Sequence, residues 1–273
     1  MSFGDDTLDP ANRNLYPQKP ATQIFDDIQR IKHPLIGVLD HGFVRLVNSM
    51  GSDIDIVRSA RVSYNADWRG TEKDVHNTSS TEIENKDEKL ISYLLRNKHT
   101  SPFESVVFTF EIKCPIFVAR QWHRHRTWAY NEVSARYTEL PEEYYLPKEE
   151  QLTTQSKDNK QMRTEEQIEA PQYILESIEN HCIRAFDCYK YYLSKGVARE
   201  LARMVLPLNT YTRFFGTVNL HNLFHFLRLR AHPHAQYEIR VYAMAIIDII
   251  QQIVPVATKY FLPDVSEHWD KTV

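Results

Sequence analysis

The 273 residues carry 33 Lys+Arg against 36 Asp+Glu, a net charge of −3, so the surface as a whole is not built for nucleic acid and any polyanion contact must be local. A composition of 42% hydrophobic and 25% charged residues is that of an ordinary globular protein, and no apolar run approaches the ~20 residues of a membrane span. Cys114, Cys182 and Cys188 have no CxxC or zinc-ligand spacing, and the seven glycines form neither GxG nor a P-loop, which argues against a disulfide framework, a Rossmann fingerprint and a glycine phosphate cradle.

The opening MSFGDDTLDP lacks a basic then apolar signal-peptide pattern, and the scarce cysteines fit a reducing, cytoplasmic setting. Residues 1–34 read as a polar extension with a short helix near residues 24–31. LIGVLDHGFVRLVNSMG reads as a hairpin about Asp40-His41-Gly42. DIDIVRSARVSY reads as a helix with Ile54, Val57, Ala60 and Arg61 at helical spacing. Residues 65–87 form a polar insertion, after which EKLISYLLRNK resumes a helix. In TSPFESVVFTFEIKCP, Ser101 is expected to cap one turn, with Pro102 at its first position and Glu104 closing a capping box. The β-branched and aromatic residues from 106 to 112 then predict a buried strand. Pro115 opens a short helix, IFVARQWH.

Residues 148–170 are a second polar insertion with no clear order. Residues 174–192 show a helical pattern. GVARELARMVLP puts Val197, Leu201 and Val205 on one face, and TRFFGTVN is strand-like. Asn219 caps LHNLFHFLRLR, whose stripe is Leu220, Leu223 and Leu227. A long helix after Pro233 turns Ile239, Ala243, Ile246 and Ile250 inward. Strands and helices mix without strict βαβ alternation, which favours an α+β class: one domain with a largely antiparallel sheet flanked by helices.

The chemistry concentrates in RQWHRHRTWAYNEVSARY. Arg124, His125 and Arg126 are adjacent, so a loop or last turn lets them surround an anion; the bland alternative is a solvated basic turn. The interleaved Trp122, Trp128 and Tyr130 weigh against that alternative. In NEVSARY, strand alternation would put Glu132, Ser134 and Arg136 on one side, as a pocket wall or as a polar edge. Arg230 suits a helix C-terminus. Arg203, among apolar neighbours, calls for a partner. His221 and His225 stand i,i+4, a weak metal signal without HExxH. Ser134 lacks a nucleophile elbow, and Cys114 reads as an inert buried thiol. A polynucleotide-binding module stacking on Trp122, Trp128 and Tyr130 is the rival from another class.

Arg124-His125-Arg126 followed by seven residues and Ser134 resembles the RHR-x7-S signature of flavin-dependent thymidylate synthases. SARVSY, HTSPFE, PIFVARQW, YNEVSARY, LARMVLPLNTYTRFF and LRAHPHAQYEI resemble family segments in the same order, across most of residues 36–255. The resemblance implies a mixed α/β fold and conversion of dUMP to dTMP. Methylenetetrahydrofolate would be the carbon donor and NADPH the reductant through FAD. It implies a homotetramer with active sites shared between subunits, and neither nucleic-acid nor membrane partners. By position, Ser101, Arg124, His125, Arg126, Glu132, Asn219, His221 and His225 would contact FAD. Gln121, Arg124, Glu132, Ser134, Ala135, Arg136, Arg203 and Arg230 would contact dUMP. Arg230 would be the catalytic arginine favouring ionisation at uracil N3, and no metal is implied. His221 stands where many relatives carry Arg. The catalytic domain would span 35–260, between the extension and a tail at 261–273.

Overall fold

In a computed structural model, residues 35–63, 85–160 and 162–263 are described. The apolar runs around Asp40-His41-Gly42 pair as expected: β1 (Leu35–Val38) lies antiparallel to β2 (Gly42–Met50), with Val38 opposite Gly42. Glycine is needed at 42 for close approach, since a Cβ there would stand 2.0 Å from the Tyr242 hydroxyl. Helix α1 (Asp53–Val62) follows, but its buried face is Ile56, Val57 and Ala60. The expected face is therefore rotated: Ile54 is half-buried and Arg61 is exposed. Arg61 instead reaches Asp87 on α2 (Asn85–Arg96), an ion pair that apolar periodicity does not reveal. Residues 85–87, expected in the polar insertion, form the first turn of α2; the rest of that insertion and the helix near 24–31 lie outside the described residues.

The turn Ser101–Ser105 is a 3-10 turn capped at Thr100 rather than at Ser101, without a side-chain capping bond. It is too short to leave several orphan N–H groups, and Phe103 N simply donates to Thr100 O at 3.0 Å. β3 (Val107–Pro115) is the central strand, buried almost throughout because β2 and a later strand, Tyr211–Asn219, flank it and helices cover it. Pro115 then starts α3 (Ile116–Trp122), as expected. β4 (Ala129–Glu132) is an edge strand against β7 (Tyr211–Asn219), and the sheet runs β1-β2-β3-β7-β4 with every pairing antiparallel.

The second insertion is ordered, contrary to expectation. β5 (Thr153–Gln155) and β6 (Arg163–Gln167) form a hairpin held by backbone pairing and a 2.6 Å Thr154–Thr164 hydroxyl bond. Polar strands that bury little leave no apolar signal to read.

Helices α4 (Pro171–Ser194), α5 (Arg199–Ala202), α6 (Leu220–Arg230), α7 (Tyr237–Ile250) and α8 (Pro255–Phe261) complete the described elements. Asn219 Oδ1 accepts from Asn222 N at 2.9 Å, the expected cap of α6. The stripes Leu220, Leu223, Leu227 and Ile239, Ala243, Ile246, Ile250 are buried as expected. The 197–205 face is not: Leu201 is 52% exposed and Ala202 is buried in its place. α5 is one turn long and continues as a 3-10 turn, so helical spacing does not carry across it. Val205 does pack inward, against Phe186 and Tyr189. The α+β expectation holds.

Candidate functional site

The interleaved aromatics anchor the RHR segment from below. Trp122 is 0% and Trp128 5% exposed. Trp122 stacks on Phe226 at 4.7 Å and meets Trp128 edge-on at 5.8 Å. They are therefore core, in keeping with a turn that is not simply solvated, and they are not the stacking surfaces that a polynucleotide-binding module would need. With Trp122 fixed, the chain leaves α3 in a tight turn: Arg124 N donates to Gln121 O at 3.3 Å and His125 N to Trp122 O at 2.9 Å. The Tyr130 hydroxyl staples this turn, reaching the carbonyl oxygens of Trp122 at 3.1 Å and His125 at 3.0 Å. Arg124 and Arg126 emerge exposed, while His125 points inward.

His125 meets Arg230, the last residue of α6. Arg230 Nε donates to His125 Nε2 at 3.0 Å, and Nη2 donates to the Gln121 carbonyl at 3.4 Å. Burial, then the Arg230 charge, then His225 hold the His125 pKa at about 4. The imidazole is neutral at pH 7 and acts as an acceptor, which is what a guanidinium donor requires. Burial lowers the Arg230 pKa, yet guanidinium stays protonated. The ring of exposed His225 lies 6.1 Å from that of His125. Gln121, Arg124, His125, Arg126, His225 and Arg230 thus form one group.

A second group follows β4. The strand ends at Glu132, Val133 N bonds Arg213 O at 2.9 Å, and residues 134–137 close a turn through Tyr137 N to Ser134 O at 3.0 Å. Ser134 and Arg136 therefore do not alternate with Glu132 along a strand. The Ser134 hydroxyl instead accepts from Arg136 N at 3.3 Å, and a turn of this kind points several polar groups at one place. Glu132 accepts from the Thr212 hydroxyl at 2.5 Å. Ala135 is buried. Glu200 joins two expected residues: its carboxylate takes Arg136 Nε at 3.1 Å and its carbonyl takes Arg203 Nε at 3.4 Å. Arg203 is exposed rather than enclosed by its apolar neighbours.

The third group surrounds the start of α6. Asn219 and His221 lie at the opposite end of that helix from Arg230, about 16 Å and about 13 Å away along it, and the 3-10 turn that carries Ser101 packs near that end. His221 lines a cleft of about 540 Å³ with Arg96, Lys98, His99, Thr100 and Arg228 over a floor of Leu94, Phe103 and Phe224. Sequence reasoning passed over these cations. The RNKH run at the end of α2 was the available signal, and Lys98 takes a left-handed φ of 56° there. Cys114 is fully buried and burial raises its thiol pKa well above the ordinary value, in keeping with an inert thiol. Among the described residues no three His, Cys, Asp or Glu side chains are grouped to hold a metal.

The profile of the thymidylate synthase complementing protein family, Thy1, matches residues 45–256. The chain belongs to this family. A Treponema denticola relative named flavin-dependent thymidylate synthase is 48% identical over 226 residues, covering 82% of this chain and 80% of that protein. One of the same name from Thermus thermophilus is 50% identical over 227 residues, covering 83% and 77%. Among solved structures, the UMP/dUMP methylase PolB of Streptomyces cacaoi, bound with 5-Br dUMP, aligns with a TM-score of 0.71 at 33% identity, over 83% of this chain and 97% of that one.

For a Thy1 family member the donor set is informative. Cationic side chains above an aromatic and aliphatic floor suit a planar ring carrying phosphates, so the cleft residues fit a flavin nucleotide. The turn after β4 spends the Arg136, Tyr137 and Thr138 N–H groups on Ser134 and sets the Ser134 hydroxyl beside the exposed Arg136 side chain, a hydroxyl and a guanidinium that suit a nucleotide phosphate.

Proposed function

We propose that this chain is a flavin-dependent thymidylate synthase that converts dUMP to dTMP, with 5,10-methylenetetrahydrofolate giving the carbon and NADPH reducing it through FAD. The observation that carries this reading is the oriented Arg230 cation, held from behind by neutral His125 and the Gln121 carbonyl. Two of its five N–H groups are used, so the remainder can face a ligand.

Uracil is a weak acid at N3. A fixed guanidinium beside N3 stabilises the anion, and the anion makes C5 more nucleophilic toward the folate methylene. A bound flavin supplies the hydride that completes the methyl group. No protein nucleophile is needed, which agrees with the burial of Cys114. In this reading Gln121, Arg124, Glu132, Ser134, Ala135, Arg136, Arg203 and Arg230 hold dUMP. Ser101, Arg124, His125, Arg126, Glu132, Asn219, His221 and His225 hold FAD.

Exposed apolar surface supports sites completed between copies. Exposed apolar side chains accompany the second group: Tyr137 at 81%, Met204 at 73% and Leu208 at 55%. Surfaces of that kind suit burial against another subunit, in line with a homotetramer. Residues 35–260 would be the catalytic domain, between the 1–34 extension and the 261–273 tail, working in the cytoplasm without nucleic-acid or membrane partners. The polynucleotide-binding alternative loses two of its three stacking surfaces, because Trp122 and Trp128 are buried, and the third, half-buried Tyr130, has its hydroxyl tied to the turn. The test is tritium release from C5-labelled dUMP with NADPH, FAD and the folate. Release dependent on all three is expected, and none with active-site-competent, flavin-loaded protein contradicts the reading.

A further inference from the structure

Glu238, at the start of α7, is a carboxylate only 3% exposed, and it faces three donors. Arg163 from the β5–β6 hairpin reaches its Oε1 at 3.3 Å, and the Tyr145 hydroxyl reaches the same oxygen at 3.4 Å. Gln236 Nε2 donates to its Oε2 at 2.8 Å. Arg163 is itself placed by the Gln151 carbonyl at 3.2 Å, so the polar insertion is tied to α7 through this carboxylate.

The consequence is directional. An ionised carboxylate only accepts, so Gln236 must turn its NH2 toward Glu238 and its carbonyl away. That carbonyl then receives Gln121 Nε2 at 2.5 Å. Gln121 then turns its own Oε1 away from Gln236, beside the second hydrogen of its NH2. Two amides in series thus carry the polarity of one buried carboxylate to the residue whose backbone carbonyl also takes Arg230 Nη2. Without the carboxylate, either amide can turn over at little cost.

We propose that Glu238, braced by Arg163, is a positioning residue that fixes Gln121 as an acceptor toward a donor group, hydroxyl or ring N–H, of the bound nucleotide. This rests on the proposed dUMP site. It gives the β5–β6 hairpin a role, as the element that carries the brace.

The test is a polarity swap read by steady-state kinetics. Glu238→Gln preserves shape but lets the relay reverse, so KM for dUMP rises about tenfold while kcat changes less than threefold. The double variant Glu238→Gln/Gln236→Glu restores an acceptor-only group in the relay, and KM returns to within threefold of the unaltered protein. An unchanged KM in the single variant, or no recovery in the double, overturns the proposal. Should Glu238→Gln not fold, Gln236→Ala at an exposed position breaks the same relay; the same rise in KM supports the proposal and an unchanged KM overturns it. The unaltered protein is assayed beside the variants. If it neither binds nor turns over dUMP, the proposed function fails; if it does and the variants match it, only the relay fails.

Discussion

Replacing Arg230 by lysine keeps the positive charge and removes the geometry. Arg230 spends Nε on His125 at 3.0 Å and Nη2 on the Gln121 carbonyl at 3.4 Å, which aims the rest of its planar fork. A lysine ammonium is a single hydrated point at the end of a flexible chain, next to the terminal carbonyls of α6 that compete for it. It cannot hold both anchors and a ligand atom in one geometry. Loss of one fixed donor to charge that develops in the transition state costs about 3 kcal/mol, a fall of 10²–10³ in kcat. The assay is tritium release from C5-labelled dUMP, with flavin content measured from the visible spectrum of the same sample. Arg230→Lys should retain flavin and lose turnover. Turnover within threefold of the unaltered protein would refute the claim that the oriented guanidinium, rather than charge alone, favours the N3 anion.

His125 gives a pH dependence. Its folded pKa of about 4 lies below the ordinary 6.5, so the unfolded chain takes up this proton first as pH falls. The contribution is complete above about pH 6.5 and declines toward pH 4. Solvent at the open side of the site screens part of it, leaving about 1–2 kcal/mol. Thermal melts of the protein and of His125→Phe should differ by an amount that changes across that window; a constant difference removes the effect. Asp53 caps the first turn of α8, accepting from Val256 N at 2.8 Å and Ala257 N at 2.9 Å while 2% exposed. Asp53→Ala should cost about 2 kcal/mol in denaturant unfolding, and a loss under ~0.5 kcal/mol would mean water replaces the cap. Lys98, with φ 56°, closes α2 where glycine is usual: Lys98 N reaches Leu95 O at 3.1 Å and His99 N reaches Leu94 O at 2.9 Å. Lys98→Gly should gain about 1 kcal/mol of stability and, if the cationic cleft it lines takes the flavin, weaken flavin retention; gain without weaker retention would count against flavin in that cleft.

What was legible in the sequence was what a single physical rule governs. Leu220, Leu223 and Leu227 repeat at helical spacing because one face of α6 meets the core, and Asn219 precedes them because a helix start needs an acceptor. β3 announced itself through β-branched and aromatic residues because it is buried on both faces. The misses arise where partners come from elsewhere in the chain. Arg61 faces out because Asp87 meets it, which rotates α1 relative to its apolar pattern. Trp122 and Trp128, the stacking surfaces of the polynucleotide-binding alternative, are core instead, because Phe226, far along the chain, packs against both. The β5–β6 hairpin pairs by backbone and threonine hydroxyls, which no hydrophobic periodicity records. At the site, the RHR group and Arg230 were legible as cations suited to an anion. Their pairing with a neutral histidine, and the Glu238–Gln236–Gln121 relay behind them, exist only once α3, α6 and α7 pack together.

The visible absorption spectrum of the purified protein tests the central claim most directly. Protein reconstituted with FAD should be yellow after removal of free cofactor, show flavin bands, and bleach when NADPH is added without oxygen. Colourless protein that takes up no flavin under those conditions would contradict the account.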